Sequence, residues 1–303
     1  MINTPASLSA SAARWYRQGD TYTHRGQDIF FRREGSGEAL LLIHGFPTCS
    51  WDWEGQWSAL AERYHCITAD MIGFGCSAKP CDYDYSIHDQ ADLFEDLLRE
   101  LGVGQVHILA HDYGDSVAQE LLARHLDRAA AGDDALHIRS LCLLNGGLFP
   151  ETHRARLVQK LLNSPLGPLI CRLMNRRNFG QGLAAVFGPE TPPDPAQVDD
   201  FWQLYCHRGG LAIGHKLIRY IRDRRRHRER WVGALQQADI PLRLINGPAD
   251  PVSGRHMTER YRELVPNPDI VLLDGIGHYP QIEAPQAVLD AYLEFLGKLP
   301  GGE

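Results

Sequence analysis

The sequence predicts an α/β protein built around a mostly parallel sheet, and three observations carry that prediction. Apolar-rich runs from Ala39 to Ile43, Val106 to Ala110 and His137 to Leu144 have the length of strands, and the first is apolar throughout, as a strand covered on both faces would be. Between such runs the spacing turns helical: Ala91, Phe94, Leu97, Leu98 and Leu101 fall on one face of a helix over Ile87 to Leu101, which ends at Gly102. At His111-Asp112-Tyr113-Gly114 one pattern passes directly into the other, because Val117, Ala118, Leu121 and Leu122 then recur at helical spacing. No loop fits there, so strand becomes helix at a single point.

That junction has a chemical reading. In the G-x-S-x-G elbow of α/β-hydrolases, the central residue sits on a strained strand-to-helix turn with its side chain exposed to substrate. Here the frame is Ala110-His111-Asp112-Tyr113-Gly114, and aspartate takes the place of serine. A serine alkoxide attacks a carbonyl and makes an acyl-enzyme. A carboxylate attacking an ester would give a high-energy anhydride. It suits displacement at a saturated carbon bearing a leaving group, which yields an alkyl ester of the enzyme. Asp112 is therefore the expected nucleophile, with epoxides or carbon–halogen bonds as targets. The plainer alternative is a helix N-cap aspartate.

In chain order, residues up to about Gln18 read as a loose arm or short helix, and Thr21 to Arg33 as an edge hairpin around Gly26. The Ala39 to Ile43 strand ends in His44-Gly45-Phe46-Pro47-Thr48, the loop that supplies one oxyanion-hole N–H in such folds; the second comes from the residue after the nucleophile. The expected donors are the backbone N–H groups of Phe46 and Tyr113. Ser50 is placed to cap a helix through Trp57 and Leu60, and Tyr64 to Ala69 is the next strand. Gly73-x-Gly75-x-x-Ala78 imitates a dinucleotide fingerprint, but Lys79-Pro80 follows at once, so no phosphate-cradling helix starts there. Ser116 lies inside the helix after the elbow and is expected to bond locally. Asn145, after the His137 to Leu144 strand, stands where some Asp-nucleophile hydrolases hold their acid. It cannot serve as a carboxylate, so the acid is expected later.

From Leu148 to about Leu235 the pattern is helical with proline breaks, which predicts a cap over residues 148–235, between core segments 1–147 and 236–303. Arg222 to Arg230 (RDRRRHRER) reads as a solvated helix end rather than a polyanion or membrane site. After the Ile240 to Ile245 strand, Asp250 occupies the usual place of the triad acid. His278 follows the Ile270 to Leu273 strand and precedes a helix over Ala284 to Leu299. The order nucleophile, acid, histidine is that of α/β-hydrolases. Asp274 is too close in sequence to face the ring of His278.

A net charge of −7 argues against nucleic acid as a partner. Seven cysteines with no CxxC pair read as reduced thiols in a cytoplasmic protein. No apolar run reaches the roughly 20 residues of a membrane helix, and MINTPASLSASAARW lacks the features of a signal peptide. No cofactor or metal is expected; the expected partner is a small apolar organic substrate.

Together these residues resemble the epoxide hydrolase and haloalkane dehalogenase branch of the α/β-hydrolases, and more narrowly the mesoderm-specific transcript family. The resemblance covers nearly the whole chain through HGFPTCSWDW, HDYGDSVAQELL, LNGGLFPETHR, RERWVGAL and HYPQIE. It implies an eight-stranded sheet with flanking helices and an inserted cap. Haloalkane dehalogenases hold the halide with an Asn after His-Gly and a Trp after the nucleophile, where this chain has Phe46 and Tyr113. Fluoroacetate dehalogenases place arginines beside the nucleophile, where this chain has Tyr113 and Asp115, and Asp115 would repel a carboxylate. Epoxide hydrolases protonate the ring oxygen with cap tyrosines. Tyr220 resembles one of them, and His153 is an alternative acid. The expected activity is epoxide hydrolase-type, with an atypical dehalogenase or a catalytically silent binding protein as alternatives.

Overall fold

In the computed structural model, which describes residues 2–299, the three apolar runs lie side by side in one eight-stranded sheet of order β1-β2-β4-β3-β5-β6-β7-β8. The strands are β1 (Asp20–His24), β2 (Gln27–Glu34), β3 (Ala39–Ile43), β4 (His65–Ala69), β5 (Gln105–His111), β6 (His137–Leu144), β7 (Leu242–Asn246) and β8 (Asp269–Leu272). Only β2 runs against its neighbours, β1 and β4. Its hairpin with β1 turns through Arg25 (φ 48°) and Gly26 (φ 77°), both in the left-handed conformation that two-residue hairpin turns favour. The parallel register sets Ile43 beside Ala110, His111 beside Leu144, and Leu144 beside Ile245. The carboxyl ends of β3, β5, β6 and β7 are therefore level, which is where open α/β sheets present their ligand sites.

Helices α1 (Ala10–Arg17), α2 (Glu54–Ala61), α3 (Ile87–Glu100) and α4 (Tyr113–Ala131) belong to the first part of the chain. The N-terminal arm is thus a helix. Ser9 caps it by accepting the Ala12 N–H, and Trp15 and Tyr16 anchor it in the core. Trp15 and Trp57 both contact the Arg32 guanidinium, at 4.4 and 4.7 Å from their ring centres. Ser50 does not cap α2. It opens a 3₁₀ turn, Ser50–Trp53, and its hydroxyl donates to Asp70 Oδ1 at 2.6 Å, because a buried aspartate is the stronger acceptor.

Between β6 and β7 the chain forms seven short helices: α5 (Leu157–Leu162), α6 (Gly167–Leu173), α7 (Arg176–Ala184), α8 (Pro195–Cys206), α9 (Gly214–Leu217), α10 (Tyr220–Arg226) and α11 (Arg228–Gln237). Helices α12 (Arg255–Leu264), α13 (Pro280–Glu283) and α14 (Pro285–Gly297) complete the fold. The helical block is fixed to the sheet by polar contacts. Lys79 Nζ, buried, donates to the carbonyls of Gly75, Leu204 and His207 at 2.6–2.8 Å. The His278 N–H donates to Val186 O at 2.8 Å. Among the described residues no helix is long and apolar enough to cross a membrane, and all seven cysteines are unpaired.

Candidate active site

At the end of β5 the backbone of Asp112 is forced to φ 46°, ψ −101°. A non-glycine residue there stores strain of about 1–3 kcal/mol, which the surroundings must over-determine. They do so closely. The Asp112 N–H donates to Leu144 O at 3.1 Å. Two residues on, a Cβ on Gly114 would lie 2.5 Å from Ile43 O, so only glycine lets α4 start this close to β3. The Phe46 N–H donates to Asp112 Oδ2 at 3.2 Å. Tyr113 begins α4, so its N–H belongs to the unpaired first turn of that helix. The HGFP loop and the elbow thus meet at one carboxylate.

His278 Nε2 lies 3.9 Å from Asp112 Oδ2, and its Nδ1 is 2.7 Å from Asp250 Oδ2. Asp250 is held by four further donors: Val252 N, Ser253 N, Ser253 Oγ and Asn145 Nδ2, at 2.7–3.1 Å. Asn145 therefore occupies the end of β6 as an amide that orients the later acid. Asp274 is 87% exposed at its side chain and faces Arg255, away from His278. His111 Nε2 is 2.7 Å from the His278 carbonyl. Burial and the neighbouring His278 hold the His111 pKa down at about 3, so it is a neutral donor that fixes the loop.

Burial alone would lower the His278 pKa, but Asp250, hydrogen-bonded to its ring, and Asp112 raise it to about 9. Burial would raise Asp250, and the His278 charge and hydrogen bond instead hold it at about 2. Asp112 behaves alike: burial raises it, while His278 and Arg224 outweigh burial and keep it below the usual carboxylate range. At neutral pH the site is an imidazolium between two carboxylates. Asp115 differs. Burial and Asp112 push its carboxyl well up, and it packs behind the elbow against Gly146 with no part in the cavity lining. It therefore presents no charge to a substrate, which removes the repulsion expected of it.

Arg224 escaped the sequence reading. It sits in the middle of RDRRRHRER yet is 2% exposed. Its Nη2 donates to the Asp112 carbonyl at 2.7 Å and lies 3.4 Å from Oδ1, and its Nε donates to Ser116 Oγ at 2.6 Å. Ser116 thus bonds across 108 residues rather than locally, because α10 crosses the start of α4. Nor is the rest of the run a simple solvated end. Arg228 pairs with Glu151, and Arg230 with Glu120 and Asp127. Glu120 also accepts from Trp231 Nε1 at 2.8 Å, which joins HDYGDSVAQELL to RERWVGAL. A signal for Arg224 existed. Leu217, Tyr220, Ile221 and Arg224 have the i, i+3, i+4, i+7 spacing of an inward face, and all four are buried.

Tyr220 stacks beneath the Arg224 guanidinium at 4.4 Å and packs on Tyr113 and Phe46. His153 lies near Gly147 and Arg224 with both ring nitrogens unpartnered. Neither lines the cavity over Asp112. That cavity, about 110 Å³, is bounded by Asp112, His278 and Tyr279 below and by apolar side chains of α5–α7 such as Leu162, Phe179 and Leu183 above. No cluster of His, Cys, Asp and Glu suited to a metal occurs among the described residues.

Residues 38–285 match the alpha/beta hydrolase fold family. The mouse mesoderm-specific transcript protein is 43% identical over 96% of this chain and 90% of its own length. A Shewanella oneidensis cis-3-alkyl-4-alkyloxetan-2-one decarboxylase is 26% identical over 90% of this chain and 86% of its own. Among solved structures, the epoxide hydrolase CorEH superposes with a TM-score of 0.74 at 20% identity, covering 92% of this chain and 98% of its own. Haloalkane dehalogenase DbeA from Bradyrhizobium elkani superposes with a TM-score of 0.76 at 22% identity, covering 90% and 95%. The level strand ends, the elbow and these matches lead to one conclusion: the chain belongs to the α/β-hydrolase family and, within it, to the mesoderm-specific transcript proteins.

Proposed function

We propose that this hydrolase opens epoxides through an ester on Asp112. The observation that carries the proposal is a carboxylate on the strained elbow, with Phe46 N–H on Oδ2 and the Arg224 guanidinium 3.4 Å from Oδ1, the oxygen that attacks. Oδ1 displaces the ring oxygen from carbon. The C–O electron pair goes to that oxygen, which takes a proton. His278 is the supported donor, since it lines the cavity and is cationic, whereas Tyr220 and His153 stand outside the lining. Neutral His278 is then the base that takes a proton from water as water attacks the ester carbonyl. Esterification removes the Asp112 charge that helped hold the proton on His278, so the two half-reactions favour opposite states of one ring. Asp250 keeps that ring in register. The Phe46 and Tyr113 N–H groups receive the oxyanion. Arg224 aligns Oδ1, and residues 148–235 serve as the cap.

The dehalogenase alternative has less support, because Phe46 and Tyr113 stand at the two positions where haloalkane dehalogenases hold the halide with Asn and Trp. A panel of epoxides, haloalkanes and oxetan-2-ones tests the choice. Diol formation from epoxides without halide release is expected; halide release with inert epoxides would overturn it. Tyr220→Phe should alter epoxide turnover by no more than about threefold, whereas loss of a general acid would cost roughly 100-fold.

A further inference from the structure

The cap carries an exposed apolar surface that reaches the rim of the cavity over Asp112 at Val158. Five large apolar side chains stand exposed among the described residues, and all fall within the 17 residues that span α5, the turn after it and α6: Leu157, Val158, Leu166, Leu169 and Leu173. Leu166, Leu169 and Leu173 follow one another at i, i+3 and i+7, a stripe on one side of α6. Scattered exposed leucines need no explanation, but a contiguous patch marks a surface meant to be covered.

Charge shows what covers it. From 152 to 189 the chain has Arg154, Arg156, Lys160, Arg172, Arg176 and Arg177 and no Asp or Glu, in a protein of net charge −7. Arg176 pairs with Asp199, but Arg154, Lys160, Arg172 and Arg177 have no acidic partner among the described residues. Arg222 extends the set, because its Nη2 donates to Asn163 O in the turn between α5 and α6. Exposed apolar side chains interspersed with unpaired basic ones are the composition of an element that lies in the headgroup layer of an anionic bilayer. A self-associating face would instead set these like charges against each other.

We propose that α5 and α6 dock this protein on an anionic lipid surface with the mouth of the cavity toward the membrane. Arg156, Val158 and Leu162, on the same segment, line the cavity over Asp112. An apolar substrate dissolved in the bilayer would pass from acyl chains to the cap interior without crossing water. That consequence rests on the hydrolase reading above; the docking does not, and a vesicle assay reads it without turnover.

The test is co-sedimentation of the full chain with vesicles of phosphatidylcholine, with or without about 30 mol% phosphatidylglycerol. Expected are binding to the anionic vesicles, at least tenfold weaker binding to the neutral ones, and loss of the difference at ~0.5 M salt. The variant carrying Leu166→Ser, Leu169→Ser and Leu173→Ser should keep its thermal midpoint, since these side chains are already in water, and lose binding tenfold or more. Lys160→Glu with Arg177→Glu should abolish the preference for anionic vesicles. Absence of binding by the native chain would overturn the proposal, as would full binding by the triple variant. A dimer in sedimentation that the triple variant dissolves would show a protein interface instead.

Discussion

Arg224 ties three parts of the site to one guanidinium: the Asp112 carbonyl, Asp112 Oδ1 and Ser116 Oγ. Arg224→Met should lower epoxide turnover by about tenfold to 100-fold. It should also move the acid limb of the pH–rate profile upward, because Asp112 loses a cation that favours its ionised form. Breaking a buried pair in this way costs about 3–5 kcal/mol of stability. Arg224→Lys keeps the charge and loses the fork, so it should restore the acid limb but not the rate. If both variants keep the native profile, Arg224 is only packing. His278 allows a second check by NMR titration of its ring. Its midpoint should lie at about 9 in the native protein and fall in Asp112→Asn, which removes one of the two flanking carboxylates. An unmoved midpoint would mean that esterification cannot release the proton, and the two-state role of His278 would fail.

At the scale of elements, the loop after β8 and the loop after α7 are held together by one side chain. Glu283 on α13 accepts the N–H groups of Gly188, Gly277 and Tyr279 and the Thr191 hydroxyl. Glu283→Ala would leave buried N–H groups without partners, at roughly 1–3 kcal/mol each before relaxation. It should raise KM and lower kcat together, because His278 and Val186, just after α7, share this junction. An effect on thermal stability alone would separate the junction from the site. The legibility of the site follows the same division. Asp112 directly follows β5, and Asp250 and His278 lie in the loops after β7 and β8, so local pattern locates them. Asn145 was legible as an amide, but its bond to Asp250 crosses 105 residues and depends on the pairing of β6 with β7. Arg224 was masked by like neighbours, because the chain alone does not state which arginine of a basic run faces inward. In the sequence Ser50 looks like a helix cap and Ser116 like a hydroxyl bonded within its own helix, and each instead bonds a distant buried side chain, Asp70 and Arg224.

Across the whole molecule, pH acts through the same groups. His278 has a folded pKa of about 9, against about 6.5 when unfolded. Its contribution to stability is therefore complete below about pH 6.5 and lost as pH rises through about 9. Asp250, held at about 2, contributes above about pH 4 and loses that contribution as pH falls through about 2. Buried Lys79 has the opposite sense: burial lowers it to about 8, so it opposes folding while charged and that cost falls between pH 8 and 10.5. The difference in thermal midpoint between native protein and His278→Gln should thus shrink from pH 6.5 to 9.5. A constant difference would place the His278 charge outside the folding balance. Lys79→Met removes the donor that joins Gly75 to the carbonyls of Leu204, in α8, and His207, just after it. It should loosen the helices between β6 and β7, seen as faster amide exchange in α8 with β5 unchanged; exchange unchanged in α8 would show that these helices do not depend on this contact.

The ester proposed on Asp112 is open to one direct measurement. His278→Gln keeps an N–H that can hydrogen-bond to the leaving oxygen but has no base, so alkylation should slow and continue while hydrolysis stops. After incubation with an epoxide that the native enzyme turns over, intact-protein mass spectrometry should show protein plus the full mass of one substrate, and peptide mapping should place the addition on Asp112. Absence of any adduct, or an adduct on another residue, would mean that water attacks the substrate directly or that the nucleophile lies elsewhere, and would contradict the role given to Asp112.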